Sequence, residues 1–159
     1  MATGNATVTV TRGTGMDVGC KRDALRAING DLRMIGSGLT RKAYADDRSR
    51  IVYKIESRGY PGSNRQEYDT FSGSALRDRG LAQYGTPVAL YTIATDDGPI
   101  DVLAMPFRSD ASHAAPMAEL VRFRNRGGLR LPDMHGGNYR VTAGGRIKIT
   151  DLGFGVSAR

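Results

Sequence analysis

The sequence predicts an α+β fold, in which a small antiparallel sheet with one helix is followed by a smaller, mixed part. Short stretches of alternating apolar and polar residues, separated by Gly, Asp and Pro, are typical of antiparallel strands joined by turns. The predicted order is three strands, a helix and two strands, then a helix, a loop and a hairpin, which is an α+β pattern. Hydrophobic residues make up 40% of the 159 and charged residues 25%, so we expect one core with at most two lobes.

The N-terminal third of the chain is predicted to contain a helix and three strands. Residues 1–20 are rich in Gly and Thr and alternate over 6–11, which indicates a leader or an edge strand. Residues 21–28 are amphipathic and are followed by an Asn-Gly pair, which predicts a short helix. Residues 31–56 predict a strand, a glycine turn, a strand, a polar turn and a third strand.

The middle of the chain is predicted to contain a longer helix and a hairpin. Asn64 is a suitable N-cap for a helix that runs to residue 79, although Gly73 weakens the middle of that helix. Residues 88–95 and 101–107 alternate and are separated by an Asp-Asp-Gly-Pro turn, so they predict a β-hairpin.

The C-terminal part is predicted to be short and mixed. A loop is expected at 109–115, a helix at 117–126, and two strands at 139–141 and 146–150. The chain is thereby divided into a leader with a short helix (1–30), a sheet lobe (31–108) and a minimal second lobe (109–159).

Three features of the predicted sheet lobe are candidates for functional residues. The turn Gly36-Ser37-Gly38 could bring backbone N–H groups close to phosphate oxygens, or it could be a plain hairpin turn. Lys54 is the basic residue on one face of an otherwise apolar strand, where a lysine either extends to solvent or holds a buried anion. Glu67 lies early on the following helix, where a solvated face is the ordinary alternative.

The tail LPDMHGGNYRVTAGGRIKITDLGFG contains the second set of candidates. Asp133 and Asn138 are five residues apart in a predicted loop, and Asp151 follows after a predicted hairpin. This order can bring two carboxylates and an amide together. Oxygen ligands of this kind suit Mg²⁺, and a carboxylate beside a hydroxyl can orient it or accept its proton.

These motifs together resemble those of the protein-kinase-like superfamily, in the same order. IGSG is similar to the start of the glycine-rich loop, and IVYKI to the strand that carries the ATP-phosphate lysine. DMHGGN is similar to the D-x-x-x-x-N catalytic loop, and IKITDLG to the strand before the metal-binding Asp. His135, two residues after Asp133, is closer to the D-x-H-x-x-N loop of aminoglycoside phosphotransferases. The resemblance covers about residues 31–153.

The resemblance implies an ATP site with Mg²⁺ and assigns a role to each charged candidate. Lys54 would contact the α- and β-phosphates and be held by Glu67. Asn138 and Asp151 would hold Mg²⁺, and Asp133 would orient the acceptor hydroxyl.

The resemblance also implies how the rest of the nucleotide is held. Gly36, Ser37 and Gly38 would cover its phosphates. The hinge that binds adenine would start at Met105, so that the carbonyl of Pro106 and the N–H of Arg108 would bind the adenine edge.

Three departures from the family pattern change the expectations. Arg41 replaces the third glycine of the loop, which we expect to make the loop stiffer and more cationic. Leu131 and Pro132 replace the His and Arg that precede the catalytic Asp. The chain ends eight residues after Asp151, without a counterpart of the activation segment or substrate lobe, so an acceptor would dock on another surface or on a partner.

Two functions follow from the resemblance. The first is an ATP- and Mg²⁺-dependent phosphotransferase that acts on a Ser or Thr hydroxyl of a protein or of the chain itself, with a small-molecule acceptor left open by His135. The alternative is a catalytically weak kinase-like protein that binds and modulates a partner enzyme, which would suit a compact phage-encoded protein acting on a host.

Composition limits the partners and the compartment. The net charge of +7, with 19 Arg among 23 basic residues, suits phosphate-rich partners. Nucleic acid is a further hypothesis, with a solvated helix face as the alternative. One cysteine (Cys20), no secretory signal and no long apolar run predict a cytoplasmic protein without a membrane span. The arginines of the nucleic-acid hypothesis are Arg122, Arg124, Arg126 and Arg130.

Overall fold

The structure has the α+β architecture that the sequence predicts. The computed structural model describes residues 7–12, 18–57, 59–78, 82–108, 129–130, 139–142, 144, 146–151 and 157–158. The loop expected at 109–115 and the helix expected at 117–126 lie outside these described residues. No helix among the described residues is long and apolar enough to cross a membrane.

A six-stranded antiparallel sheet is the largest part of the fold. Its strands are β1 (Val8–Arg12), β2 (Arg33–Ser37), β3 (Arg41–Asp46), β4 (Ile51–Glu56), β5 (Ala89–Thr95) and β6 (Gly98–Pro106). They lie in the order β1-β5-β6-β4-β3-β2. Strand β1 comes from the predicted leader and pairs with β5, so this segment is an edge strand of the sheet.

Helix α1 (Lys21–Asn29) covers one face of the sheet. Its residues Ala24, Leu25 and Ala27 are buried in one cluster with Tyr53 of β4 and Tyr91 of β5. The helix ends where its amphipathic pattern predicts, at a left-handed glycine whose N–H donates to the Ala27 carbonyl.

The segment before α1 is hydrogen-bonded to the sheet through the buried side chains of Tyr53 and Tyr91. The hydroxyl of Tyr91 donates to the Val18 carbonyl at 2.9 Å, and the hydroxyl of Tyr53 accepts from the Cys20 N–H at 3.1 Å. Gly19 has a φ of +76° and lies against the Tyr53 side chain, so that a Cβ at this position would be 2.7 Å from the Tyr53 hydroxyl. This position therefore requires glycine for both its backbone conformation and its space.

Helix α2 covers the opposite face and differs from its prediction at both ends. The single helix expected to reach residue 79 is instead α2 (Ser63–Ser72) and a short helix α3 (Ala75–Asp78). The break falls at Gly73, where a Cβ would lie 2.5 Å from the Asp69 carbonyl oxygen. Asn64 is not the N-cap, because the helix begins at Ser63 after Gly62, and its buried side-chain amide donates to the carbonyls of Lys54 and Asp101. The Glu56 carboxylate accepts from the Asn64 N–H at 2.6 Å at this helix start.

A C-terminal hairpin docks against the sheet domain. It consists of β8 (Tyr139–Val141) and β9 (Ile147–Ile149), close to the strands predicted there. The Thr86 hydroxyl donates to the Ile149 carbonyl at 2.6 Å, and the Lys148 ammonium donates to the Gln83 and Gly85 carbonyls. These bonds hold the end of β9 against the sheet domain. Two short strands, β7 (Leu129–Arg130) and β10 (Ser157–Ala158), form a separate antiparallel pair.

Candidate functional site

Lys54 is buried on the face of the sheet that α2 covers. Tyr53, its neighbour on β4, points to the α1 side, so strand alternation sends Lys54 to the other side. Its ammonium donates to Oε1 of Glu67 at 2.8 Å and to the Thr150 carbonyl at 2.5 Å. The side chain is 9% exposed, so this lysine holds a buried anion and does not extend to solvent.

Glu67 is the centre of the buried charges. It lies on α2 with a fully buried side chain, which excludes the alternative of a solvated helix face. One carboxylate oxygen accepts from Lys54 and the other from the guanidinium of Arg41. A buried carboxylate is stable only when such partners compensate for its lost hydration, so Glu67 depends on both cations.

Asp151 joins the cluster from the C-terminal hairpin. It follows β9 by two residues, and its Oδ2 lies 3.7 Å from the Lys54 ammonium. Its side chain is 37% exposed, so it forms the solvent-facing side of the cluster. The docking of β9 thus brings together three predicted site residues, Lys54, Glu67 and Asp151, from three separate elements.

Arg41 is the member of the site that the sequence prediction missed. It was expected to stiffen the glycine turn, but it begins β3 and its side chain is only 6% exposed. Its guanidinium donates to the carboxylates of both Glu67 and Asp151 and reaches the Asn64 side-chain oxygen at 3.4 Å. Arg41 therefore bridges α2 and the hairpin and belongs to the charge cluster.

The pairing of β3 with β4 supplies the signal that would have identified Arg41. Ala43 lies directly opposite Lys54, so these two residues point to the same face of the sheet. Arg41 is two positions before Ala43 on the same strand and shares that face. The alternation was visible in the sequence, whereas the register that connects it to Lys54 was not.

The cluster contains two cations and two carboxylates, so its formal charge is zero. Burial lowers the pKa of Arg41, but the carboxylates of Glu67 and Asp151 outweigh this effect and raise it above its ordinary value. A guanidinium keeps its charge at ordinary pH in any case. Both carboxylates consequently always have a fixed cation beside them.

A cavity of about 560 Å³ opens beside this cluster, between the sheet and the hairpin. Lys54, Thr150 and Asp151 line it where β4 and the hairpin meet. Ala43 and Val52 supply an apolar wall from the sheet. Cavities of roughly 300–1,000 Å³ that combine apolar walls with a few polar groups are typical of small-molecule sites.

The predicted hinge lines another part of the same cavity. Met105, Pro106 and Arg108 are all among its lining residues. Pro106 pairs with Ile51, three residues along β4 from Lys54, which corresponds to about 10 Å at the rise of a strand. The Nε of Arg108 is buried without a hydrogen-bond partner among the described residues.

The predicted glycine turn contributes less to the cavity than the resemblance implies. Gly36 lines it, whereas Ser37 and Gly38 are exposed and are not among the described lining residues. The N–H of Gly38 donates to the Arg41 carbonyl at 2.8 Å, which closes the turn. That N–H is therefore committed to the turn and is not directed at a ligand.

Several predicted site residues lie outside the described part of the chain. These are Asp133 and Asn138 of the predicted catalytic loop, together with His135 between them. Arg122, Arg124 and Arg126 of the nucleic-acid hypothesis also lie outside it, and Arg130 is described in its backbone alone, on β7.

The chain was compared with protein-family models, with curated proteins and with solved structures. None matches. Function is therefore inferred from the geometry of the site and from the motifs that the sequence contains.

The described residues suit an anionic ligand better than a metal ion. Four of the charged residues that line the cavity are cations, and one, Asp151, is a carboxylate. No group of three or more His, Cys, Asp or Glu side chains among the described residues could hold a metal. The two oxygens of Asp151 face Arg41 and Lys54, so these residues alone do not match a Mg²⁺ site. The lining cations are Arg33, Lys54, Arg108 and Arg140.

Proposed function

We propose that this protein is an ATP-dependent phosphotransferase with a protein-kinase-like fold, acting on a Ser or Thr hydroxyl of a protein. The observation that carries the proposal is the convergence of Lys54, Glu67 and Asp151 at one cavity, from a strand, a helix and a hairpin. A lysine held by a helix glutamate, beside an aspartate that follows a strand, is the arrangement that contacts nucleotide phosphates in kinases. The order of these residues in the chain is also that of the kinase motifs.

The charge of the cavity supports a polyphosphate ligand. The charge cluster is formally neutral and Arg33 pairs with Asp47, whereas Arg108 and Arg140 add positive charge to the lining, which favours anions. Lys54 would contact the phosphates, and its bond to Glu67 fixes where its ammonium can reach. The apolar wall of Ala43 and Val52 would cover the adenine ring, and the chain from Met105 to Arg108 would bind its edge.

In this reaction, the bond between the γ-phosphorus and the β–γ bridging oxygen breaks as the acceptor oxygen bonds to the γ-phosphorus. ADP leaves, and the carboxylate of Asp133 would take the proton of the acceptor hydroxyl. Magnesium at Asn138 and Asp151 stays a prediction, because Asn138 lies outside the described residues and Asp151 already faces two cations.

A second candidate function is a nucleotide-binding protein that modulates a partner without transfer. The observation that favours it is the ion pair between Arg41 and Asp151, which engages the carboxylate expected to hold the metal. A site in which this pair persists would bind nucleotide and would lack the metal arrangement that kinases use for transfer.

The test is incubation of the purified protein with γ-labelled ATP, Mg²⁺ and a mixture of acceptor proteins. We expect label on wild-type protein or on an acceptor, and none with Lys54→Met or Asp133→Asn. Lys42→Met is the matched control, because Lys42 lies next to Arg41 on β3 and is exposed. Equal labelling by Lys54→Met would refute the proposed role of the cluster.

Thermal unfolding with and without ATP separates the two candidate functions. A rise in melting temperature without any labelling would support the nucleotide-binding protein. If the protein transfers no label and ATP does not raise its melting temperature, both functions are contradicted.

A further inference from the structure

We propose that Arg41 neutralises Asp151 in place of a divalent cation, so that the cavity binds a nucleoside triphosphate without metal. This inference rests on the proposed ATP site and concerns how that site tolerates a highly anionic ligand. Arg41 would act through Asp151 and is therefore a positioning residue, since it does not itself line the cavity among the described residues.

The carboxylate of Asp151 would repel a phosphate bound at Lys54. Its carboxylate lines the cavity 3.7 Å from the Lys54 ammonium, which is the group expected to contact phosphate. A phosphate bound at Lys54 would therefore lie close to a negative charge. Kinases commonly meet this repulsion with metal ions that bridge the carboxylate and the phosphates.

Arg41 can neutralise the negative charge of Asp151 without a metal ion. Its guanidinium is held from behind by Glu67 and donates to Oδ1 of Asp151. Because its side chain is buried and a guanidinium keeps its proton in proteins, it neither leaves with solvent exchange nor loses its charge. The two cations and two carboxylates of the cluster thus balance, and Asp151 adds no net negative charge to the cavity.

The test measures the affinity for AMP-PNP, a non-hydrolysable ATP analogue, by calorimetry in Mg²⁺ and in EDTA. For wild-type protein we expect the two dissociation constants to agree within about threefold. In Arg41→Gln we expect the constant in EDTA to rise about tenfold or more, the size of an uncompensated charge near 4 Å in a partly screened site. Mg²⁺ should restore that variant to near wild-type affinity, because Asp151 becomes available to the metal.

A double variant distinguishes this role from a merely structural one. Arg41→Gln with Asp151→Asn also removes the carboxylate that lines the cavity, so it should bind AMP-PNP in EDTA more tightly than Arg41→Gln alone. Arg41→Lys, which keeps the charge, should stay close to wild type in EDTA. Arg22→Gln is the matched control for loss of one positive charge, because Arg22 lies on α1 at the opposite face and is largely exposed.

Each outcome decides between the proposals. Wild-type binding that is lost in EDTA and present in Mg²⁺ overturns this inference and leaves the proposed ATP site intact. Unchanged metal-free affinity in Arg41→Gln also overturns it. No binding in either buffer refutes the ATP site itself. Wild-type protein alone decides whether binding is independent of metal, and Arg41→Gln and Arg41→Lys together decide whether Arg41 is the cause.

Discussion

Replacing Glu67 by Gln should destabilise the fold more than any comparable change at an exposed ion pair. The side chain of Glu67 is fully buried and accepts charge-assisted bonds from Lys54 and Arg41. Gln keeps one acceptor oxygen, places an N–H₂ group against a cation and removes the negative charge. Each bond to a charged group contributes roughly 1.5–3 kcal/mol, and breaking a buried ion pair on one side costs about 3–5 kcal/mol. We therefore expect a loss of about 3–5 kcal/mol, a large fraction of the roughly 5–15 kcal/mol typical of a domain.

Urea unfolding followed by far-UV circular dichroism measures this loss, since the chain has no Trp for fluorescence. Asp47→Asn is the matched control, because it breaks the ion pair of Asp47 with Arg33, in which both side chains are more than half exposed. A double variant with Lys54→Met should lose less than the two single variants together, because it removes a cation along with the carboxylate. The reasoning is refuted if Glu67→Gln is no less stable than Asp47→Asn.

Two further predictions concern the face that α1 covers. Gly19→Ala should lower the free energy of unfolding by about 1–3 kcal/mol, because φ is +76° and the new Cβ would meet the Tyr53 hydroxyl; urea unfolding equal to wild type would contradict this. Burial raises the pKa of Asp23, but hydrogen bonds from Cys20, Arg22 and Arg26 outweigh it and hold that pKa below its ordinary 3.8. The stability that ionised Asp23 contributes is therefore fully present above pH 3.8 and is lost as the pH falls through the lower pKa of the folded state. Asp23→Asn should lose stability at neutral pH and show a shallower decline below pH 4 than wild type, and equal pH profiles would contradict the assignment.

Local patterns were sufficient to predict most of the sheet. The strands over 31–56 and the hairpin over 89–106 follow from alternation and from turns rich in Asp and Gly, which act over a few residues. The end of α1 was predicted for the same reason. In the hairpin of β5 and β6 the strand bounds differ by at most three residues, and the largest difference arises because β6 begins at Gly98 inside the predicted turn.

Predictions that depended on contacts between distant segments were less successful. Asn64 has the composition of an N-cap, but its amide donates to carbonyls on β4 and β6, which only the packed sheet brings near. Gly73 was expected to weaken a helix and instead ends it in an extended conformation, in which a Cβ would lie 2.5 Å from the Asp69 carbonyl oxygen. Such outcomes depend on which groups surround a residue in the folded protein, and helix propensity does not describe those surroundings.

The sequence by itself determined the local elements and the identity of the charged residues that a phosphate site would need. It placed Lys54 on an apolar strand, Glu67 on the next helix and Asp151 after a short strand, and these positions follow from periodicity alone. The tertiary structure decided which of these charges meet. Arg41 and Asp151 are 110 positions apart and pair only because the C-terminal hairpin docks against the sheet domain. Buried charges must find partners wherever packing brings them together, and that choice is made by the whole fold and not by neighbouring residues.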